Sequence, residues 1–100
     1  MAWKVIKTCT KPSADTPYEL WSDDVTAYIK TNYKDTGKWT LESKNISSDN
    51  LVTTYTIIFK DEAAKNEMAS DSTIVAEHNR VKAIHEANKI TEEVTMNEEV

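Results

Sequence analysis

Residues 51–96, LVTTYTIIFKDEAAKNEMASDSTIVAEHNRVKAIHEANKITEEVTM, decide the fold class, because their hydrophobic period changes from strand to helix and back. In the first part, Leu51, Tyr55, Ile57 and Phe59 fall on one face of an alternating run, with Val52 and Ile58 on the other. Asp61-Glu62 then opens a helical stretch whose modest apolar stripe is Ala63, Ala64 and Met68. Ser70-Asp71-Ser72 interrupts that stripe and recaps a longer helix, Thr73 to about Asn88. Alternation returns over 90–96, where Ile90, Val94 and Met96 share one side of a last strand. The last residues, Asn97-Glu98-Glu99-Val100, are expected to fray.

The N-terminal half repeats this rhythm. A strand from about Trp3 to Thr10 places Trp3, Val5 and Cys9 on one face, with Ile6 on the other. After Lys11-Pro12-Ser13-Ala14-Asp15, Thr16, Pro17 and Glu19 have the spacing of a capping box with proline at the first helical position. Tyr18, Trp21, Val25, Tyr28 and Ile29 then recur at helical spacing, and Ser22-Asp23-Asp24 offers a second cap. Gly37, the only glycine, stands where a left-handed helix stop is needed. Residues 39–44 alternate as a strand, and Ser47-Ser48-Asp49-Asn50 turns the chain into the strand that begins at Leu51.

The order is βαββαβ. Right-handed crossovers put the helices on one face of a four-stranded antiparallel sheet with the first and third strands central, an α+β fold of the ferredoxin-like type. Both central strands carry apolar residues on both faces, which a sheet with one wet face does not require. A second copy pairing sheet to sheet is the simplest cover. Residues 57–90, IIFKDEAAKNEMASDSTIVAEHNRVKAIHEANKI, resemble the second half of the dimeric α+β barrel proteins. There too a strand ends in Phe, an acidic-Ala-Ala helix follows, and an Arg-bearing helix leads to the last strand. That resemblance implies a homodimer within a superfamily of cofactor-free monooxygenases, haem-degrading enzymes, dehydratases and stress-related proteins. The Asn, Trp and His combination of the haem-degrading branch is not reproduced, since the first strand offers no Asn.

Composition narrows function by exclusion. With 39% hydrophobic and 29% charged residues the chain reads as one folded domain, 1–100, and its net charge of −5 disfavours nucleic acid. One cysteine, Cys9, excludes an internal disulfide and a multi-cysteine metal site, and its strand setting reads as a small buried hydrophobe. One glycine excludes phosphate and dinucleotide fingerprints, and no serine stands in a nucleophile-elbow pattern. The opening MAWKVIKTCTKP lacks the apolar core of a signal peptide, so cytoplasm is the expected location, with no membrane span.

His78 and His85 are the candidate acid–base residues. Seven apart, they lie about 20° apart around a helix and roughly 10 Å apart along it. Glu77 and Asn88 share their sector, and Ile74, Val81 and Ile84 flank it. Histidines on a core-facing stripe can move protons near neutral pH, although the edge of a partly exposed helix is the plainer alternative. No metal centre is expected from two histidines at this spacing. Trp21, Tyr28, Trp39 and Tyr55, with Glu77 and Asn88, are the candidate ligand-binding set, ordinary core packing being the competing role for the aromatics. Arg80, the only arginine, is expected to pair with Glu77.

The leading expectation is a homodimer that holds a small apolar or aromatic molecule between helices and sheet, without a cofactor. A second is a cofactor-independent oxygenase or lyase acting on a small hydrophobic substrate. A third is a protein-interaction module.

Overall fold

The computed structural model describes residues 2–99. The chain runs β1 (Ala2–Thr10), α1 (Asp23–Ile29), β2 (Trp39–Ile46), β3 (Val52–Phe59), α2 (Glu62–Ser70), α3 (Ser72–Ala87) and β4 (Thr91–Glu99). The four strands are antiparallel in the order β2-β3-β1-β4, so β1 and β3 are central. β4 extends past the expected end at Met96: Asn97, Glu98 and Glu99 pair with Lys4, Trp3 and Ala2. Val100 lies outside the described residues.

The first helix starts later than the capping-box signature suggests. Thr16 turns back to Ser13 through an N–H···O bond of 3.1 Å and a hydroxyl pair at 3.0 Å. Ser22 is the cap in use, its hydroxyl accepting from the Val25 N–H at 3.3 Å. Beyond Ile29 the helix widens into a π turn, Lys30–Lys34, in which the Asp35 N–H reaches the Lys30 carbonyl at 2.8 Å. Gly37 takes a φ of 78° in the turn that follows, as its position in the sequence requires.

The expected break between α2 and α3 is a single residue. Asp71 is extended; its Oδ1 accepts from the Thr73 N–H at 3.0 Å, capping α3. Its Oδ2 accepts from the hydroxyls of Tyr28 and Tyr33, each at 2.7 Å. One carboxylate therefore caps a helix and ties the first helical region to the third. Although burial alone pushes the Asp71 carboxyl up, the Tyr33 and Tyr28 hydroxyls and the backbone N–H bonds hold it below the usual carboxylate range.

The core lies between the helices and one sheet face, formed by Ile29, Tyr33, Trp39, Phe59, Ala64, Met68 and Ile74. Trp3, Val5, Trp21, Val25, Tyr28 and Ile57 pack against it. Trp39 meets Phe59 edge to face at 6.0 Å and donates its indole N–H to the Met68 sulfur at 3.3 Å. A bulge between Trp39 and Leu41 reverses the alternation of β2. Leu41 consequently pairs with Ile58 on the opposite face, while Glu42, opposite Ile57, turns to the helix side. The strand register thus gives the open face Lys4, Ile6, Thr8, Leu41, Ser43, Thr54, Thr56 and Ile58. The large aromatics Trp3, Trp39 and Tyr55 belong to the helix-covered face, so the uncovered apolar surface is aliphatic and threonine-rich rather than aromatic.

Candidate functional site

Three elements converge at one end of the helix layer. β1 and β4 place Cys9 directly opposite Glu92 on the covered face. The last turn of α3 brings His85 above them, and the chain end of that helix is fixed by a Schellman motif. There the Lys89 N–H bonds the Glu86 carbonyl at 3.0 Å and the Ile90 N–H bonds the His85 carbonyl at 2.8 Å, with Lys89 left-handed at φ 60°. The Cys9 sulfur, a ring nitrogen of His85 and a carboxylate oxygen of Glu92 lie within 4.8 Å of one another.

The connection from β1 to α1 covers this cluster. Tyr18 stacks on His85 with ring centroids 4.6 Å apart and planes tilted by 43°. Burial, followed by the neighbouring Cys9 and Glu92, raises the Tyr18 phenol, which stays protonated. His85 is 2% exposed, and its Nε2 lies 3.2 Å from the Glu19 carbonyl oxygen. A carbonyl only accepts, so Nε2 is the donor in this contact. That Nδ1 is buried and has no hydrogen-bond partner among the described residues; neither does Glu92 Oε2, whose nearest cation is the Lys7 ammonium at 3.5 Å.

The covering segment is tied down by Arg80. Its guanidinium donates to both Glu77 oxygens at 2.7 and 2.9 Å, to Glu19 Oε2 at 2.6 Å and to the Leu20 carbonyl at 3.2 Å. Glu77, 6% exposed, also accepts from the Ser22 N–H. The bound guanidinium, reinforced by that N–H, outweighs burial and holds the Glu77 carboxyl down to about 2. Glu77 is thus a fixed anion joining α3 to the start of α1.

His78 occupies a different environment from His85. It is half-buried on α3, and burial together with Lys7 and Lys82 lowers its imidazole pKa against the opposing pull of Glu92. Neutral imidazole is the form of a proton acceptor. Beside it the covered face is incompletely covered: Val94, opposite Lys7 in the register, is 43% exposed, and Met96 is 51% exposed. An apolar shelf along β4 therefore adjoins Lys7, whose charge acts on His78.

The expected ligand-binding aromatics have other surroundings. Trp39 is inside the core, Trp21 and Tyr28 lean on it, and the Tyr28 hydroxyl is taken by Asp71. Tyr55 donates to Glu42, and its phenol is raised by burial and by that acid. Asn88 caps α3. A surface depression of about 420 Å³ is bordered by Asp23, Thr26, Ala27, Lys30, Lys34 and Asp35 and is lined by none of these residues. Among the described residues, no helix is long and apolar enough to cross a membrane.

Sequence reasoning missed Cys9 as a site member, and with it Lys7 and Glu92. The only signal was indirect: an antiparallel pairing of the first and last strands brings their ends together, and Cys9 and Glu92 stand near those ends.

No protein-family model and no curated protein matches the chain. Solved structures do. SnoaB of Streptomyces nogalater, a cofactor-independent oxygenase, is 10% identical with a TM-score of 0.67, over 99% of this chain and 93% of that one. Rv0793 of Mycobacterium tuberculosis is 11% identical with a TM-score of 0.63, over 98% and 95%. A dimeric ferredoxin-like protein from an uncultured marine organism is 14% identical with a TM-score of 0.62, over 99% and 98%. At these identities the likeness is one of fold, and the chain has a ferredoxin-like fold.

Proposed function

We propose that this protein is a homodimer, paired through the open face of its sheet, that holds a small apolar or aromatic molecule on the β4 shelf beside His78. The exposure of Val94 and Met96 on the helix side of the sheet carries the ligand reading. Two large apolar side chains there, next to one ammonium and one neutral imidazole, suit a flat molecule with an anionic or phenolic edge. Pairing is supported by the aliphatic open face and by the dimeric fold neighbour. A cytoplasmic setting fits the single free thiol.

An anionic aromatic probe, anilinonaphthalene sulfonate, tests the shelf. Its fluorescence should rise on binding and be lost in the Val94→Asp, Met96→Asp double variant, which alters exposed positions and should leave the melting temperature nearly unchanged. Equal binding by the double variant would place the ligand elsewhere.

A second reading is favoured by the neutral state of His78 and by the fold shared with a cofactor-independent oxygenase. On this reading the molecule on the shelf is a substrate, and His78 takes a proton from it. His78→Gln should then abolish turnover of a bound substrate while preserving its binding; unchanged turnover would leave only the binding role.

A further inference from the structure

We propose that Cys9, His85 and Glu92 form a binding site for one divalent transition-metal ion of the zinc class. Their donor atoms come from β1, α3 and β4 and lie within 4.8 Å of one another. Tetrahedral zinc, with bonds of about 2.0–2.3 Å, sets its donors roughly 3.3–3.7 Å apart, so a contraction of about 1 Å completes the site. Side-chain rotation about the existing backbone can supply a movement of that size.

The chemistry of the donors selects the ion. One thiolate and one carboxylate balance a divalent charge, and the mixture of sulfur, nitrogen and oxygen favours zinc or cobalt over magnesium or calcium, which take oxygen shells. With Nε2 engaged by the Glu19 carbonyl, Nδ1 is the ring nitrogen left to serve as the ligand. Arg80 in turn holds the Glu19 segment in place, giving the ligand a tethered support. Cys9 is 1% exposed and His85 2%, so these ligands are shielded, and Nδ1 is an orphaned polar atom of the kind that a cation would satisfy. Tyr18 stands over His85 and beside Cys9, at the remaining side of the cluster.

Lys7 is the competitor. Its ammonium, 3.5 Å from Glu92, neutralises the carboxylate that the ion would take. The lysine stem is long enough to swing toward the β4 shelf when the ion binds. Lys7→Met should therefore tighten binding rather than weaken it.

The expectation from the sequence, that no metal centre is present, considered two histidines along one helix. The site proposed here uses only one of them and draws its other ligands from β1 and β4. Its three ligands are distinct from the shelf residues Val94 and Met96, and His78 is not a ligand.

Titration of the reduced, metal-free full-length protein with Co²⁺ alone, without oxygen, tests the assignment. The expected result is saturation at one equivalent per chain, with a thiolate-to-cobalt charge-transfer band in the near ultraviolet that zinc displaces. Cys9→Ser should remove the band, and Glu92→Gln and His85→Gln should each weaken binding at least tenfold. Circular dichroism and zinc-induced thermal stabilisation of each variant separate lost binding from lost folding, since a folded variant that still gains wild-type stabilisation retains its site. Absence of the band and of any zinc-induced stabilisation in the wild type would overturn the proposal. So would wild-type affinity in both folded Glu92→Gln and folded His85→Gln, which would mark a lone thiol binding cobalt without its neighbours.

Discussion

Glu77 sits on the polar stripe of α3 that the sequence marks as a candidate site, and its partners give it a structural task. The folded carboxyl is held at about 2, against an ordinary value of 4.5. A group depressed on folding stabilises the protein above its unfolded value and loses that contribution as the pH falls toward the folded one. Glu77 therefore stabilises fully above about pH 5 and progressively less between 4.5 and 2, and Asp71 acts in the same direction. Glu77→Gln should lower the melting temperature at neutral pH, by about 1–3 kcal/mol of stability, and shallow the acid limb of the stability curve. An unchanged acid limb would show that Glu77 is not the linked group. At Lys89 the prediction runs the other way. A side chain in the left-handed region costs about 1 kcal/mol, so Lys89→Gly should raise stability by about that amount in chemical denaturation. A loss of stability there would contradict the Schellman geometry at the end of α3.

The secondary-structure elements were mostly legible, and the departures have local causes. Alternation and capping residues located all four strands and the two C-terminal helices, because each signal lies within a few residues of the element it starts or stops. The Thr16-Pro17-Glu19 signature failed because tertiary contacts claim its residues. The ring of Tyr18 stacks on His85, the side chain and carbonyl of Glu19 bind Arg80 and His85, and the helix yields its start to Ser22. The histidines were identifiable from their shared sector on α3, but their different environments were not. His85 meets Tyr18, Cys9 and Glu92 in a buried cluster, whereas half-buried His78 feels the charges of Lys7, Glu92 and Lys82; the pairing of β1 with β4 brings Lys7, Cys9 and Glu92 together under α3. Asp71 is the clearest test at this scale, since one residue both separates and joins elements. Asp71→Ala removes a cap worth about 1 kcal/mol and leaves the hydroxyl of buried Tyr33 without its partner, for a combined loss of about 2–4 kcal/mol in urea denaturation. A loss below about 1 kcal/mol would mean that the tyrosine hydroxyls find other partners.

Across the whole molecule, the two faces of the sheet divide the work. The helix side holds the core at the β2 end and the polar cluster toward β4, while the open side presents Ile6, Leu41 and Ile58 among threonines. The two-sided apolar pattern of β1 and β3 anticipated such a face. Its composition was not fully legible, because the bulge in β2 sends Leu41 outward and Glu42 inward. A copy of the same face is a suitable cover, since Ile6, Ile58 and Leu41 carry its aliphatic surface across β1, β3 and β2, with Lys4 opposite Ile58. Sedimentation equilibrium of the purified protein, alongside the Ile58→Glu variant, tests this pairing. The wild type should sediment at twice the chain mass, and Ile58→Glu should be folded and largely monomeric. A wild type that remains at one chain mass at micromolar concentration would contradict pairing through the sheet.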